Sequence, residues 1–183
     1  FCQENKIPFT RDNFAIMDGI DKVLIVAVGG DGTMLGAMRD SLRYPKSIVY
    51  GVNTGSLGFL VEEYRNNIRE VLSSISRRFG MVEERMALSG RIYVDGELWE
   101  DNQIAMNEFV LAPMTIQAPI STEVYINNKL VSNNKGSGVL VATSTGSTAV
   151  ASSGGGAIVS PSTNIMQVVP ILAHTLTSRP VIT

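Results

Sequence analysis

The sequence predicts an α/β fold in two parts: a parallel α/β part with Gly-rich turns over residues 1–80, then an antiparallel β-rich part over residues 81–183. Two observations predict it. In the first part a β-branched run, a Gly-rich turn and a helical pattern follow one another twice, as a parallel sheet requires. In the second part apolar and polar residues alternate on both sides of Asp95-Gly96 and Asn127-Asn128, which are hairpin turn signals.

The elements follow in order. Val23 to Val28 is a short β-branched run, expected as a strand buried on both faces. Gly29-Gly30-Asp31-Gly32 breaks it, and Leu35, Met38 and Leu42 then mark a helix over Thr33 to Leu42. Ile48 to Val52 is a second buried strand, broken by Asn53-Thr54-Gly55. Ile68, Val71, Leu72, Ile75 and Phe79 share one face of a helix from about Arg65. Beyond Met81, Leu88, Gly90, Ile92 and Val94 alternate with polar residues and return through Asp95-Gly96 into Glu97-Leu98-Trp99, where Trp99 is expected to pack. Ile120 to Ile126 and Lys129 to Val131 form a second hairpin, and Val139 to Ala142 is an apolar strand. The small, polar stretch Ser144 to Gly156 reads as a site rather than a linker.

Composition excludes several classes of partner. The 183 residues carry 15 basic and 17 acidic side chains, so no excess of positive charge invites a nucleic-acid backbone or an anionic membrane. The apolar run Val23 to Val28 falls far short of the ~20 residues that span a bilayer. Cys2 is the one cysteine, so no internal disulfide forms, which fits a reducing, cytoplasmic setting. The chain opens at Phe1 and stops within a strand-like run at Thr183, which reads as a fragment. With one cysteine and one histidine, His174, a zinc site of Cys and His ligands cannot be assembled, and no metal ligand is assigned. There is no HExxH, no Gly-x-Ser-x-Gly elbow and no P-loop. Gly30 to Leu35 misses the dinucleotide fingerprint because Leu35 replaces its third glycine.

Four polar turns remain, each beside an apolar run. Gly29-Gly30-Asp31-Gly32-Thr33 lets backbone amides approach phosphates at a helix N-terminus. Asp31 would repel phosphates, but suits a base for a hydroxyl or a partner of a metal ion carried on them. A helix N-cap with a tight turn explains the same residues. Asn53-Thr54-Gly55 would open on the same sheet edge as Asp31. Asn107-Glu108 offers a donor and an acceptor that can hold two ribose hydroxyls, and equally fits a solvated surface. Thr143 to Thr148 presents five hydroxyls and a glycine after a buried strand.

Together these turns resemble the NAD kinase family. Gly29 to Thr33 resembles its GGDGT motif, Asn53 to Phe59 its NTGxLGF segment, Asn107-Glu108 its NE pair and Thr143 to Ala149 its TPTGSTAY stretch. The resemblance runs from about Lys22 to the end, continuing through Ile158 to Ser162, His174 and Arg179-Pro180. It implies phosphorylation by ATP, carried with Mg²⁺, of the adenosine-ribose 2′-hydroxyl of NAD, giving NADP. Asp31 would accept the hydroxyl proton, and Gly29, Gly30, Gly32 and Thr33 would lie against phosphates. Asn53, Asn107, Glu108, Ser137, Thr145, Gly146, Ser147, Thr148 and Ala149 would line the NAD pocket. The family's homo-oligomers imply an oligomer here.

The sequence departs from the family at three pocket positions. Ser137 stands where the family has Asp, Ser144 where it has Pro and Val150 where it has Tyr. Loss of an aromatic face for a base costs about 1–3 kcal/mol. These departures motivate an alternative, a non-catalytic nucleotide-binding relative. A lipid kinase of the GGDGT group is a third reading. The family's first strand and helix, and its last strands, would lie outside this chain.

Overall fold

The computed structural model describes residues 4, 23–44, 46–54, 58–61, 68–77, 81–115, 118–175 and 178–183. The chain divides into two compact units, Phe1–Val82 and Glu83–Thr183.

In the first unit β1 (Leu24–Gly29) pairs in parallel with β2 (Ile48–Asn53), in register from Leu24 opposite Ile48 to Gly29 opposite Asn53. Both strands therefore end at the same edge, as expected from the order of their turns. Helix α1 (Asp31–Ser41) makes the crossover between them. It starts two residues earlier than the apolar spacing predicts, so Asp31 belongs to its first turn. Helix α2 spans Ile68–Ser76. Its expected start near Arg65 and the apolar position Phe79 lie outside the described residues, as do Gly55 to Leu57.

One expectation for β1 fails. Ile25 and Ala27 are buried, but Val26 and Val28 are exposed, Val28 by 62%. Among the described residues β1 has one strand neighbour, and only one face of the pair is covered, so the strand is half-buried rather than buried on both faces.

The second unit holds eight strands in its described residues. The hairpin β3 (Leu88–Val94) and β4 (Glu97–Ala105) turns at Asp95 and Gly96, with φ of 51° and 84°. The hairpin β6 (Ile120–Ile126) and β7 (Lys129–Gly136) turns at Asn127 and Asn128, with φ of 50° and 62°. Positive φ at both central residues gives a twist that matches the strands, which is why Asp-Gly and Asn-Asn signalled the turns. The first hairpin is less buried than its alternation predicts. Leu88 is buried at its base, while Ile92, Val94 and Trp99 are exposed, Trp99 by 69%. Trp99 does not pack, because the far half of the hairpin extends beyond the core it starts from.

The core lies under a four-stranded antiparallel sheet ordered β10 (Val181–Ile182), β9 (Met166–Ile171), β8 (Gly138–Thr143), β5 (Glu108–Leu111). Leu140, Ala142 and Val169 are fully buried there with Ala151 of the short helix α3 (Val150–Ser153), and Ile171 packs against them. No helix among the described residues is long and apolar enough to cross a membrane. Leu140→Ala should lower stability by about 2–5 kcal/mol, the cost of a core cavity, read as a fall in the melting midpoint of the 183-residue chain.

Candidate functional site

Each unit brings sequence-predicted residues together. In the first, Gly30 is the N-cap of α1, and no side chain caps the helix. Asp31 is therefore not the cap that the turn alone allowed. Its half-buried carboxylate accepts hydrogen bonds from the backbone N–H of Phe59 at 2.8 Å and of Leu60 at 3.1 Å. Gly58 completes this contact: a β-carbon there would stand 2.1 Å from Asp31 Oδ1. The GGDGT turn and residues 58–60 thus meet through one side chain and two amides. A carboxylate has about four lone-pair sites, so Asp31 keeps acceptor capacity beyond these two bonds.

The glycines beside Asp31 differ in their reasons. A β-carbon on Gly29 would lie 2.3 Å from Thr33 Oγ1, whereas Gly30 and Gly32 face open space within 4 Å. The open pair leaves the start of α1 accessible to a ligand, where the helix dipole favours negative charge. Asn53 is buried at the end of β2.

In the second unit the Asn107-Glu108 turn and the Thr143–Ala149 turn are joined. The N–H of Thr143 donates to Asn107 O at 2.8 Å. Thr143 Oγ1 donates to Met106 O at 2.7 Å and accepts from the N–H of Gly146 at 2.9 Å. A β-carbon on Gly146 would stand 2.2 Å from Asn107 O, so the two backbones touch. Residues 145–148 form one short 3₁₀ turn leading into α3.

The hydroxyls of this turn mostly serve the fold. Ser144 Oγ donates to Thr163 O, which suits a serine where the family pattern has proline. Ser147 Oγ accepts from the N–H of Val159 at 3.1 Å and lies 3.3 Å from its carbonyl, and Ser147 is fully buried. Thr148 Oγ1 reaches Thr145 O at 3.5 Å, and the N–H of Ala149 donates to Gly146 O at 2.9 Å. Ser137, between β7 and β8, is half-buried and donates its N–H to Ile171 O at 2.9 Å.

Glu108 is different, because its buried Oε2 has no hydrogen-bond partner among the described residues. An unpartnered buried acceptor is costly in a fold that needs only packing. Desolvation pushes its carboxyl above the usual carboxylate range. Sequence reasoning missed Arg85, which lies beside Thr145 across 60 positions in the chain, a distance no local pattern reveals.

Residues 106–183 match the ATP-NAD kinase C-terminal domain and residues 1–79 the ATP-NAD kinase N-terminal domain. The chain belongs to the NAD kinase family. It is 40% identical over 159 residues to an NAD kinase of Photobacterium profundum, covering 87% of this chain and 54% of that protein. It is 41% identical over 163 residues to an NAD kinase of Aeromonas salmonicida, covering 87% and 53%. This chain thus spans about half the length of these NAD kinases. Among solved structures it resembles yeast NADH kinase complexed with NADH, at TM-score 0.77 and 27% identity over 87% of this chain and 47% of that one. It also resembles an Archaeoglobus fulgidus NAD kinase in complex with ATP, at TM-score 0.69 and 27% identity over 87% and 60%. The α/β architecture is that of the NAD kinase family.

Two predictions follow from this geometry. Gly146→Ala should lower the melting midpoint clearly, because its β-carbon meets backbone, while Gly32→Ala, on an open face of α1, should hold or raise it. The second concerns pH. A carboxyl raised in the folded state contributes stability that is full below its unfolded pKa and lost as pH rises through the folded value. Glu108→Gln should therefore gain on wild type in melts run from about pH 4 to about pH 8; a difference that does not change with pH overturns this.

Proposed function

We propose that this chain is the part of an NAD kinase that binds NAD and carries the phosphoryl-transfer aspartate, transferring phosphate from ATP to the adenosine-ribose 2′-hydroxyl to give NADP. The observation that carries the reading is Glu108: a buried carboxylate oxygen without a partner among the described residues, next in sequence to Asn107, whose carbonyl lies against the Gly146 backbone. A ribose presents hydroxyls, which are the donors that such an oxygen lacks. Asn107 and Glu108 hold that ribose, and Asn53, Ser137, Thr145, Gly146, Ser147, Thr148 and Ala149 belong to the NAD pocket.

Asp31 accepts the 2′-hydroxyl proton. Its bonds to the Phe59 and Leu60 amides fix its orientation, and its remaining lone pairs face the work of accepting. Gly29, Gly30, Gly32 and Thr33 offer backbone and hydroxyl donors to phosphate oxygens. Such positioning and charge stabilisation make up most of what phosphoryl transfer asks of a protein. The divalent ion is proposed to arrive on ATP, where it neutralises phosphate charge. The protein is proposed to work in the cytoplasm as a homo-oligomer.

A second reading, a binding relative without activity, is favoured by Ser137 and by Val150, which is exposed on α3 where the family pattern has an aromatic. One experiment separates the two. The chain, incubated with NAD, ATP and Mg²⁺, should form NADP, and Asp31→Asn should lower kcat by at least about a hundredfold, the lower range for a lost general base. NAD binding without NADP formation above the Asp31→Asn background supports the second reading, and absence of NAD binding overturns both.

A further inference from the structure

Arg85 has no part in the reading above, yet it is a largely buried cation beside the Thr143–Ala149 turn. Its side chain is only 15% exposed, in the irregular stretch before β3. Its partners among the described residues are two. Nη2 pairs with Glu83 Oε2 at 2.9 Å, and that glutamate is half exposed. Nη1 reaches Thr145 Oγ1 at 3.4 Å. The next residue, Met86, touches the preceding residue of the turn, its sulfur 3.9 Å from Ser144 Oγ. Consecutive residues of one stretch thus line consecutive residues of the other.

A guanidinium withdrawn from water is expensive when its only inward partner is a neutral hydroxyl. Packing alone would be served by an apolar side chain of the same length. The arrangement has one chemical consequence. Arginine can only donate, so Thr145 Oγ1 must present a lone pair to it. The hydroxyl proton of Thr145 then points elsewhere, and no acceptor for it is found among the described residues.

We infer that Arg85 is a positioning residue that fixes Thr145 as a hydrogen-bond donor to the nucleotide. The ligand atom opposite Thr145 is accordingly an acceptor: a ring nitrogen, a carbonyl or a phosphate oxygen. This rests on the NAD kinase reading and deepens it, by adding a residue that does not itself touch the ligand.

The test is NAD titration by calorimetry of the wild-type chain, Arg85→Met, Thr145→Val, Thr145→Ser and the double variant Arg85→Met/Thr145→Val, each first shown to melt cooperatively. Arg85→Met and Thr145→Val should each weaken NAD binding about tenfold, the upper range of one hydrogen bond. The double variant should be no weaker than either single one, because both remove the same donor. Thr145→Ser, which keeps the hydroxyl, should stay within about threefold of wild type. In the kinase assay the loss should fall in KM for NAD, with kcat held. Arg85→Met binding like wild type, or single effects that multiply in the double variant, overturns the inference and leaves the kinase reading intact. A wild type that does not bind NAD overturns the kinase reading itself. Should Arg85→Met fail to melt cooperatively, Arg85→Gln, whose amide can accept as well as donate and so no longer fixes the Thr145 hydroxyl, takes its place in the cycle, with the same coupling expected and the same multiplication overturning it.

Discussion

At Gly146 the backbone runs so close to Asn107 that a β-carbon would stand 2.2 Å from the Asn107 carbonyl oxygen. That approach, with the Thr143 hydroxyl bonded to Met106 O on one side and to the Gly146 N–H on the other, joins two turns separated by more than thirty residues. The rest of the second unit's site follows from it. Glu108 begins β5 opposite Ala142 of β8, so its carboxylate is set by the ladder immediately beside the junction. Moving either turn would break a buried hydroxyl's bonds, and each polar group left unmatched costs about 1–3 kcal/mol.

The first unit uses the same device with different chemistry. There a carboxylate, not a carbonyl, occupies the space where a β-carbon would be, at Gly58. Asp31 thereby has two duties: it organises the chain at Phe59 and Leu60 and it stands at the first turn of a helix whose amides no side chain caps. The parallel register, with Gly29 opposite Asn53, brings both strand ends to the edge where such sheets bind ligands.

Much of this was legible in the sequence, and the exceptions have physical reasons. The hairpins were readable because Asp95-Gly96 and Asn127-Asn128 tolerate positive φ, a local property. The site turns were readable because apolar runs end abruptly in small polar residues. What those polar residues do was not readable. The turn was read for its five hydroxyls, and the pattern did not reveal that those of Thr143, Ser144 and Ser147 also bond to Met106, Thr163 and Val159, partners set by tertiary packing. Burial was misjudged for a related reason: Val26, Val28 and Trp99 are apolar, and whether an apolar residue is covered depends on elements elsewhere in the chain. Arg85 escaped because one arginine in an irregular stretch carries no pattern.

Ser137 stands between two glycines that the fold cannot exchange. A β-carbon on Gly136 would lie 2.8 Å from Leu172 O, and one on Gly138, at φ 147°, would lie 2.3 Å from Leu111 O. The strands on either side thus pin the backbone at position 137, and the Ser137 N–H, bonded to Ile171 O, adds to the hold. A replacement at this position would therefore change the side chain that is presented without moving the backbone that presents it.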